Sequence, residues 1–253
     1  MLALNFILLF CSLLLYVEAF DKPFGKCSIN DHQCVEKQWE IIFTTLGSTG
    51  IPEFNADPID PIILKNITAP VIDGVSLTIK ESTITGFKNC KFKIISLNFE
   101  KKIDSSHVSC ESLKISGEFY LEGTNPMFQS IFGTDTISGH GEIKANFEQM
   151  AMKLTLPVTI IRKENGDTHF KILDEKTQYT FDLQTTEFDV KHFVLGKNDK
   201  SEAMSAFLNS NWKSFIQPFG RSFIDKSLVL LLAFANNLYD NVPAKHFIEE
   251  VLM

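Results

Sequence analysis

From about Val71 to Leu195 apolar and polar residues alternate with a period of two, and this restricts the fold more than any other feature of the chain. Met152, Leu154, Leu156, Val158 and Ile160 share one face while Lys153, Thr155 and Thr159 point the other way, the pattern of a half-buried antiparallel strand. The strand before it repeats the pattern through Ile137, Gly139, Gly141, Ile143, Ala145 and Phe147, and an earlier one through Leu113, Ile115, Gly117, Phe119 and Leu121. Asn165-Gly166 marks a hairpin turn. Beyond it Tyr179, Phe181 and Leu183, then Phe188 and Val190, continue the alternation. Gly117, Gly139 and Gly141 fall on the inward parity, which predicts side-chain-free space on a concave face and permits sharp bending. A strongly curved sheet follows.

Helical spacing occupies the two ends. A first helix is expected from about Asp31 to Leu46, with Val35, Trp39, Ile42, Phe43 and Leu46 on one face and Gly47-Ser48-Thr49-Gly50 as its stop. Ile51-Pro52, Asp57-Pro58 and Asp60-Pro61 then force an extended, turning connection, because a residue before proline is pushed out of the α region. Asn211 to Val242 reads as one long helix of about 45 to 50 Å at 1.5 Å per residue. Trp212, Phe215, Ile216, Phe219, Phe223, Leu230, Phe234 and Leu238 make its stripe, and Pro218 should kink its first turns or mark a late start. The stretch from Leu228 to Ala235 is apolar on every side, which predicts a helix surrounded by protein. The expected fold is therefore α+β: a long C-terminal helix wrapped by a highly curved antiparallel sheet, with a short N-terminal helix. No Gly/Ser or Pro linker divides residues 20–253, so one domain is the simplest organisation.

The chain opens with an apolar run from Leu2 to Val17, broken only by Asn5 and Ser12, and Val17 and Ala19 fit a cleavage site before Phe20. Residues 1–19 read as a signal peptide. No basic residue precedes the run, which leaves an anchor helix as the alternative, but a spanning helix needs about 20 apolar residues. Cleavage removes Cys11 and leaves Cys27, Cys34, Cys90 and Cys110, an even set that favours disulfides in a secreted chain. A net charge of −7 without a basic block argues against nucleic acid as a partner. The 23 phenylalanines, against 4 tyrosines and 2 tryptophans, suit either a large core or an apolar ligand cavity.

Motifs for chemistry are scarce. There is no G-x-S-x-G elbow and no HExxH pattern. His140 falls on the solvent parity, and His169 and Asp167 read as ordinary exposed hairpin residues. Asp57 and Asp60 could pair as acid and base or bind calcium, yet Asp-Pro initiates turns and calcium takes six to eight oxygens. Asn66-Ile67-Thr68 is a glycosylation sequon. Cys27 and Cys34, with His32 between them, could begin a zinc site, but no second pair of metal-like spacing follows. A redox pair would prefer C-x-x-C, which leaves a staple as the default. Cys90 and Cys110 flank a charged turn at Glu100 to Asp104, so a hairpin register could bond them; two free buried thiols are the alternative. No metal or cofactor is expected.

Several stretches, taken in order, resemble one family. The cysteine pair ahead of the first helix, GIPEFNADPIDPIIL at Gly50 to Leu64, TGFKNCKFKIISLNFEKK at Thr85 to Lys102, LKISGEFYLEG at Leu113 to Gly123, and LNSNWKSFIQPF with NNLYDNVPAKHF near the C-terminus are similar to the insect takeout and haemolymph juvenile hormone binding proteins. The resemblance covers essentially all of residues 20–253. It implies a secreted carrier of apolar small molecules, a tubular lipid-binding (TULIP-like) fold with an apolar tunnel between sheet and helix, and a disulfide between Cys27 and Cys34. Lipid-binding proteins of bacterial-permeability-increasing type share that wrapping. The moth hormone carriers place a second disulfide on the long helix, which here has no cysteine; this points to the broader takeout group.

The expected function is thus non-enzymatic carriage of a juvenile-hormone-like isoprenoid, fatty acid or other lipid in haemolymph or another body fluid, without stable membrane insertion. Each buried CH₂ contributes about 0.8 kcal/mol. Lining residues are expected from the first helix (Trp39, Phe43), the long helix (Phe215, Phe219, Phe223, Leu230) and the sheet (Phe119, Phe147, Met152, Phe181). The alternative is an interaction protein whose core is filled by its own side chains and whose surface meets a receptor or another carrier protein. An esterase would need a nucleophile that the sequence does not display.

Overall fold

The computed structural model describes residues 22–98 and 103–250; the expected signal peptide, Cys11 and Glu100 lie outside them. Helix α1 (His32–Thr45) begins where the Asp31 carboxylate accepts from the Cys34 amide at 3.0 Å, which satisfies one of the free N–H groups of its first turn. Eight antiparallel strands follow: β1 (Ile62–Ile72), β2 (Val75–Thr85), β3 (Lys91–Asn98), β4 (Ile103–Thr124), β5 (Thr136–Arg162), β6 (Thr168–Ile172), β7 (Gln178–Leu195) and β8 (Asn198–Asp199). A short helix α2 (Met127–Phe132) joins β4 to β5, and α3 (Ser201–Asn241) is followed by a short helical turn at Ala244–His246. The order is β1-β2-β4-β5-β7-β8, with β3 on β4 and β6 on β5.

β2 and β3 behave as one strand broken in the middle. Thr85 pairs with Lys114 and Lys91 with Ser109, so both lie along β4. Asp60 holds the break: its carboxylate, 6 % exposed, accepts from the Gly86 amide at 3.2 Å and the Lys88 amide at 2.9 Å. This is a structural acceptor role, with no second carboxylate engaged among the described residues. The same break sets Cys90 opposite Cys110, and the two are bonded, as are Cys27 and Cys34.

The three inward glycines bend the sheet but leave no void. A Cβ at Gly117 would stand 2.6 Å from the Glu81 carbonyl oxygen, one at Gly139 2.7 Å from a Leu195 methyl, and one at Gly141 3.0 Å from the Lys191 carbonyl oxygen. Register shifts fall beside them, between Ile79 and Ser82 and between His140 and Glu142. The expected free space is thus filled by the neighbouring strands and by Phe193; the glycines permit the bulges that curl the sheet.

α3 departs from expectation at its start. It begins at Ser201, and its break lies at Asn211 (φ −123°, ψ 15°), not at Pro218. The missed segment carries Ser201, Ser205 and Asn209, whose four-residue spacing turns them toward β7. Ser201 Oγ accepts from the Phe193 amide (2.9 Å), Ser205 Oγ from the Val190 amide (2.9 Å), and the Asn209 amide group bonds both the N–H and C=O of Phe188 (2.8 Å each). These side chains substitute for the next strand along an open edge. Since α3 also packs on β1 at the opposite edge, the sheet closes around the helix.

Two further expectations are corrected. His169 is 3 % exposed, with Nδ1 2.7 Å from the Tyr239 carbonyl oxygen, because the hairpin that bears it folds under the end of α3. The stretch from Leu228 to Ala235 is not enclosed on all sides: Val229 is 65 % and Leu230 40 % exposed. The buried stripe runs through Phe219 and Phe223, then moves round the helix to Leu228, Leu232 and Ala235, following a twisted sheet. Leu230 continues the earlier phase and so faces out.

Candidate ligand-binding site

Three adjoining pockets lie between α3 and the sheet, strung along the helix. The first, of about 40 Å³, is lined by Leu121, Phe128, Phe207, Phe215 and Phe119. The central one, of about 70 Å³, is lined by Leu113, Phe147, Phe181, Gly220 and Phe223, with Ser227 the hydroxyl side chain among its described walls. The far one, of about 90 Å³, is lined by Trp39, Phe43, Phe92, Leu232 and Tyr239, and also by Asp104 and Ser106. Phe219 borders the first and central pockets. Phe87, Met150, Met152, Leu228 and Leu231 border the central and far ones. Two methionines in that shared wall matter physically, since an unbranched thioether side chain repacks at little cost.

α1 lines the far pocket through Trp39 and Phe43, and the chain just before it is tied to the C-terminal segment. Cys27 exchanges backbone hydrogen bonds with that segment, donating to Phe247 and accepting from Glu249 at 3.0 Å each. Phe24 stacks on Phe247 at 4.9 Å, and buried Gln38 donates to the carbonyls of Gly25 (2.5 Å) and Phe247 (3.2 Å). Trp39 meets the Tyr239 ring edge at 5.8 Å while Phe43 stacks on Phe92 at 4.6 Å. The disulfide at Cys27 and Cys34 therefore fixes the element that carries two of the pocket's aromatic walls.

Burial pushes the Asp104 carboxyl above the ordinary carboxylate range, against the pull of the Ser106 hydroxyl that donates to it at 2.8 Å and of His32 nearby. Burial likewise raises the Tyr239 phenol, and the Asp104 charge adds to it. A carboxyl raised in the folded state binds its proton there before it does in the unfolded chain. Its contribution to stability is therefore unfavourable at neutral pH and is relieved as pH falls through the folded pKa. Asp104→Asn is expected to raise the melting temperature at pH 7, with the gain shrinking toward the ordinary Asp range; a thermal melt series across pH checks it.

Of the residues singled out from sequence, nine border a pocket: Phe119, Phe215, Phe219, Phe147, Phe181, Phe223, Met152, Trp39 and Phe43. Leu230 borders none of the three. Sequence reading missed Gly220, Met150, Phe87, Leu228, Leu231, Asp104 and Ser106. Met150 shares the parity of Met152 and Gly220 lies in the helical stripe, so both carried a signal. Asp104 was hidden in a charged turn. Asn66 is exposed on β1, and among the described residues no helix is long and apolar enough to cross a membrane.

The family model described as haemolymph juvenile hormone binding protein matches residues 6–249. In three dimensions the chain is similar to Epiphyas postvittana Takeout 1 (TM-score 0.78, 19 % identity, covering 89 % of this chain and 100 % of that one). It is more distantly similar to a lipopolysaccharide binding protein (TM-score 0.44, 9 % identity, covering 83 % and 38 %). No curated protein sequence matches.

Proposed function

We propose that this chain, which belongs to the haemolymph juvenile hormone binding protein family, is a secreted, non-enzymatic carrier that holds one long apolar molecule in the pockets along α3. The observation that carries the reading is the run of largely apolar cavities between helix and sheet, about 40, 70 and 90 Å³ in successive pockets. A core filled by its own side chains leaves few voids larger than a water molecule, and the two methionines between the central and far pockets can repack to admit a chain. Desolvation supplies the affinity, about 0.8 kcal/mol per buried CH₂, less the cost of ordering the ligand. Release after removal of residues 1–19 and a glycan on Asn66 belong to the same reading. So does contact of the ligand with the nine aromatic and methionine side chains named above.

Binding of the uncharged fluorescent probe N-phenyl-1-naphthylamine tests it. Saturable enhancement that long-chain lipids displace supports carriage; no enhancement with an otherwise folded protein contradicts it. Replacing both Cys27 and Cys34 by serine is expected to lower stability by about 2 to 3 kcal/mol and to speed probe release, read by stopped-flow dilution, because α1 loses its anchor.

A further inference from the structure

Among the described residues the three pockets are lined by one carboxyl and by no lysine, arginine or histidine. That carboxyl, Asp104, sits at the start of β4 opposite Leu97 and Leu156. Ser106, 7 % exposed, donates to its Oδ1 at 2.8 Å, and among the described residues this is the carboxylate's one hydrogen bond. A carboxylate can accept about four, so acceptor capacity remains on the pocket side. Leu156, its partner on β5, and Tyr239, on which its charge acts, are also walls of this pocket. His32 on α1 acts on Asp104 electrically but does not line the pocket.

We propose that Asp104 and Ser106 receive the ligand's head group and select an uncharged hydrogen-bonding terminus, such as a primary alcohol, over a carboxylate. This rests on the carrier reading and narrows its ligand class. An alcohol hydroxyl donates to the free Asp104 oxygen, or accepts from it when the carboxyl is protonated, so it is satisfied in either state. A fatty acid anion would set a second negative charge beside the first in a desolvated pocket whose described walls hold no cation, and like charges that share a site cannot both stay ionised. The first and central pockets, lined by phenylalanine and leucine, take the apolar tail.

Displacement of N-phenyl-1-naphthylamine by dodecan-1-ol and by dodecanoate at pH 7.5, in wild type and Asp104→Asn, separates the possibilities. Wild type is expected to bind the alcohol about tenfold or more tightly than the anion, a difference of ~1.4 kcal/mol. Asp104→Asn, close in size and able to keep the Ser106 contact, is expected to bind dodecanoate more tightly and so shrink the gap to about threefold. Equal affinities in wild type, or a gap that Asp104→Asn leaves unchanged, would overturn head-group selection while carriage stands, since both ligands still displace the probe. Failure of probe and both ligands to bind would defeat the carrier reading itself.

Discussion

Replacing Gly220 by phenylalanine is expected to leave a folded protein whose affinity for apolar ligands falls by about tenfold or more, some 1.4 kcal/mol at least. A Cβ at this position would stand 3.5 Å from Ile216 Cγ1 and 3.5 Å from Phe181 Cζ, ordinary contacts, so the first atom of a side chain fits there without displacing its neighbours. A benzyl group continues from that point into the central pocket and separates the first pocket from the far one. The cost of overpacking, about 1 to 3 kcal/mol, is partly offset because glycine inside a helix is itself about 1 kcal/mol less favourable than alanine. Gly220→Ala isolates that second effect: it should raise stability by about 0.5 to 1 kcal/mol and disturb binding little. Urea unfolding beside probe titration distinguishes the two variants. Loss of stability in Gly220→Ala would mean that the glycine serves packing and not ligand space.

Asn236→Leu is expected to destabilise the fold by about 2 to 4 kcal/mol, lowering the melting temperature by roughly 5 to 15 °C in a chain of this size. Asn236 is 6 % exposed and serves the free edge of β6. Its Oδ1 accepts from the Ile172 amide at 2.9 Å, while Nδ2 donates to the Ile172 carbonyl at 3.2 Å and to Asp174 Oδ1 at 3.0 Å. Leucine would leave both backbone groups of Ile172 buried and unpaired. Asn209 makes the same two-point contact with Phe188 at the edge of β7, but its own side chain is exposed. Asn209→Leu should therefore cost less, since water can reach the freed groups. Calorimetry of the two variants ranks them; equal losses would contradict the argument from burial.

Period-two alternation made the curled sheet legible, since Met152, Leu154 and Val158 are buried where parity puts them. The sequence order of motifs made the family legible, and the turn between Cys90 and Cys110 made their register readable. What stayed hidden depended on tertiary context. The first part of α3 looks like a loop because its Ser201, Ser205 and Asn209 are there to satisfy a strand edge, and no local pattern announces an edge in need. Leu230 was misplaced because the contact stripe shifts around the helix as the sheet twists, whereas a helical wheel assumes a fixed face. Gly117, Gly139 and Gly141 promised space that Phe193 and adjacent backbone occupy. The glycine that borders a pocket is Gly220, on the other side of the interface, where a Cβ would meet Ile216 and Phe181 only at ordinary contact distance. His169 reads as exposed from sequence because burial of a hairpin residue depends on what folds over it, here the end of α3.

Native mass spectrometry of the protein purified from culture medium, followed by organic extraction, tests the central claim most directly. The account predicts a species heavier than the polypeptide by one apolar small molecule, exchangeable with added dodecan-1-ol and largely absent from Gly220→Phe. A polypeptide that stays at its bare mass, takes up no added ligand and behaves identically in Gly220→Phe would contradict it.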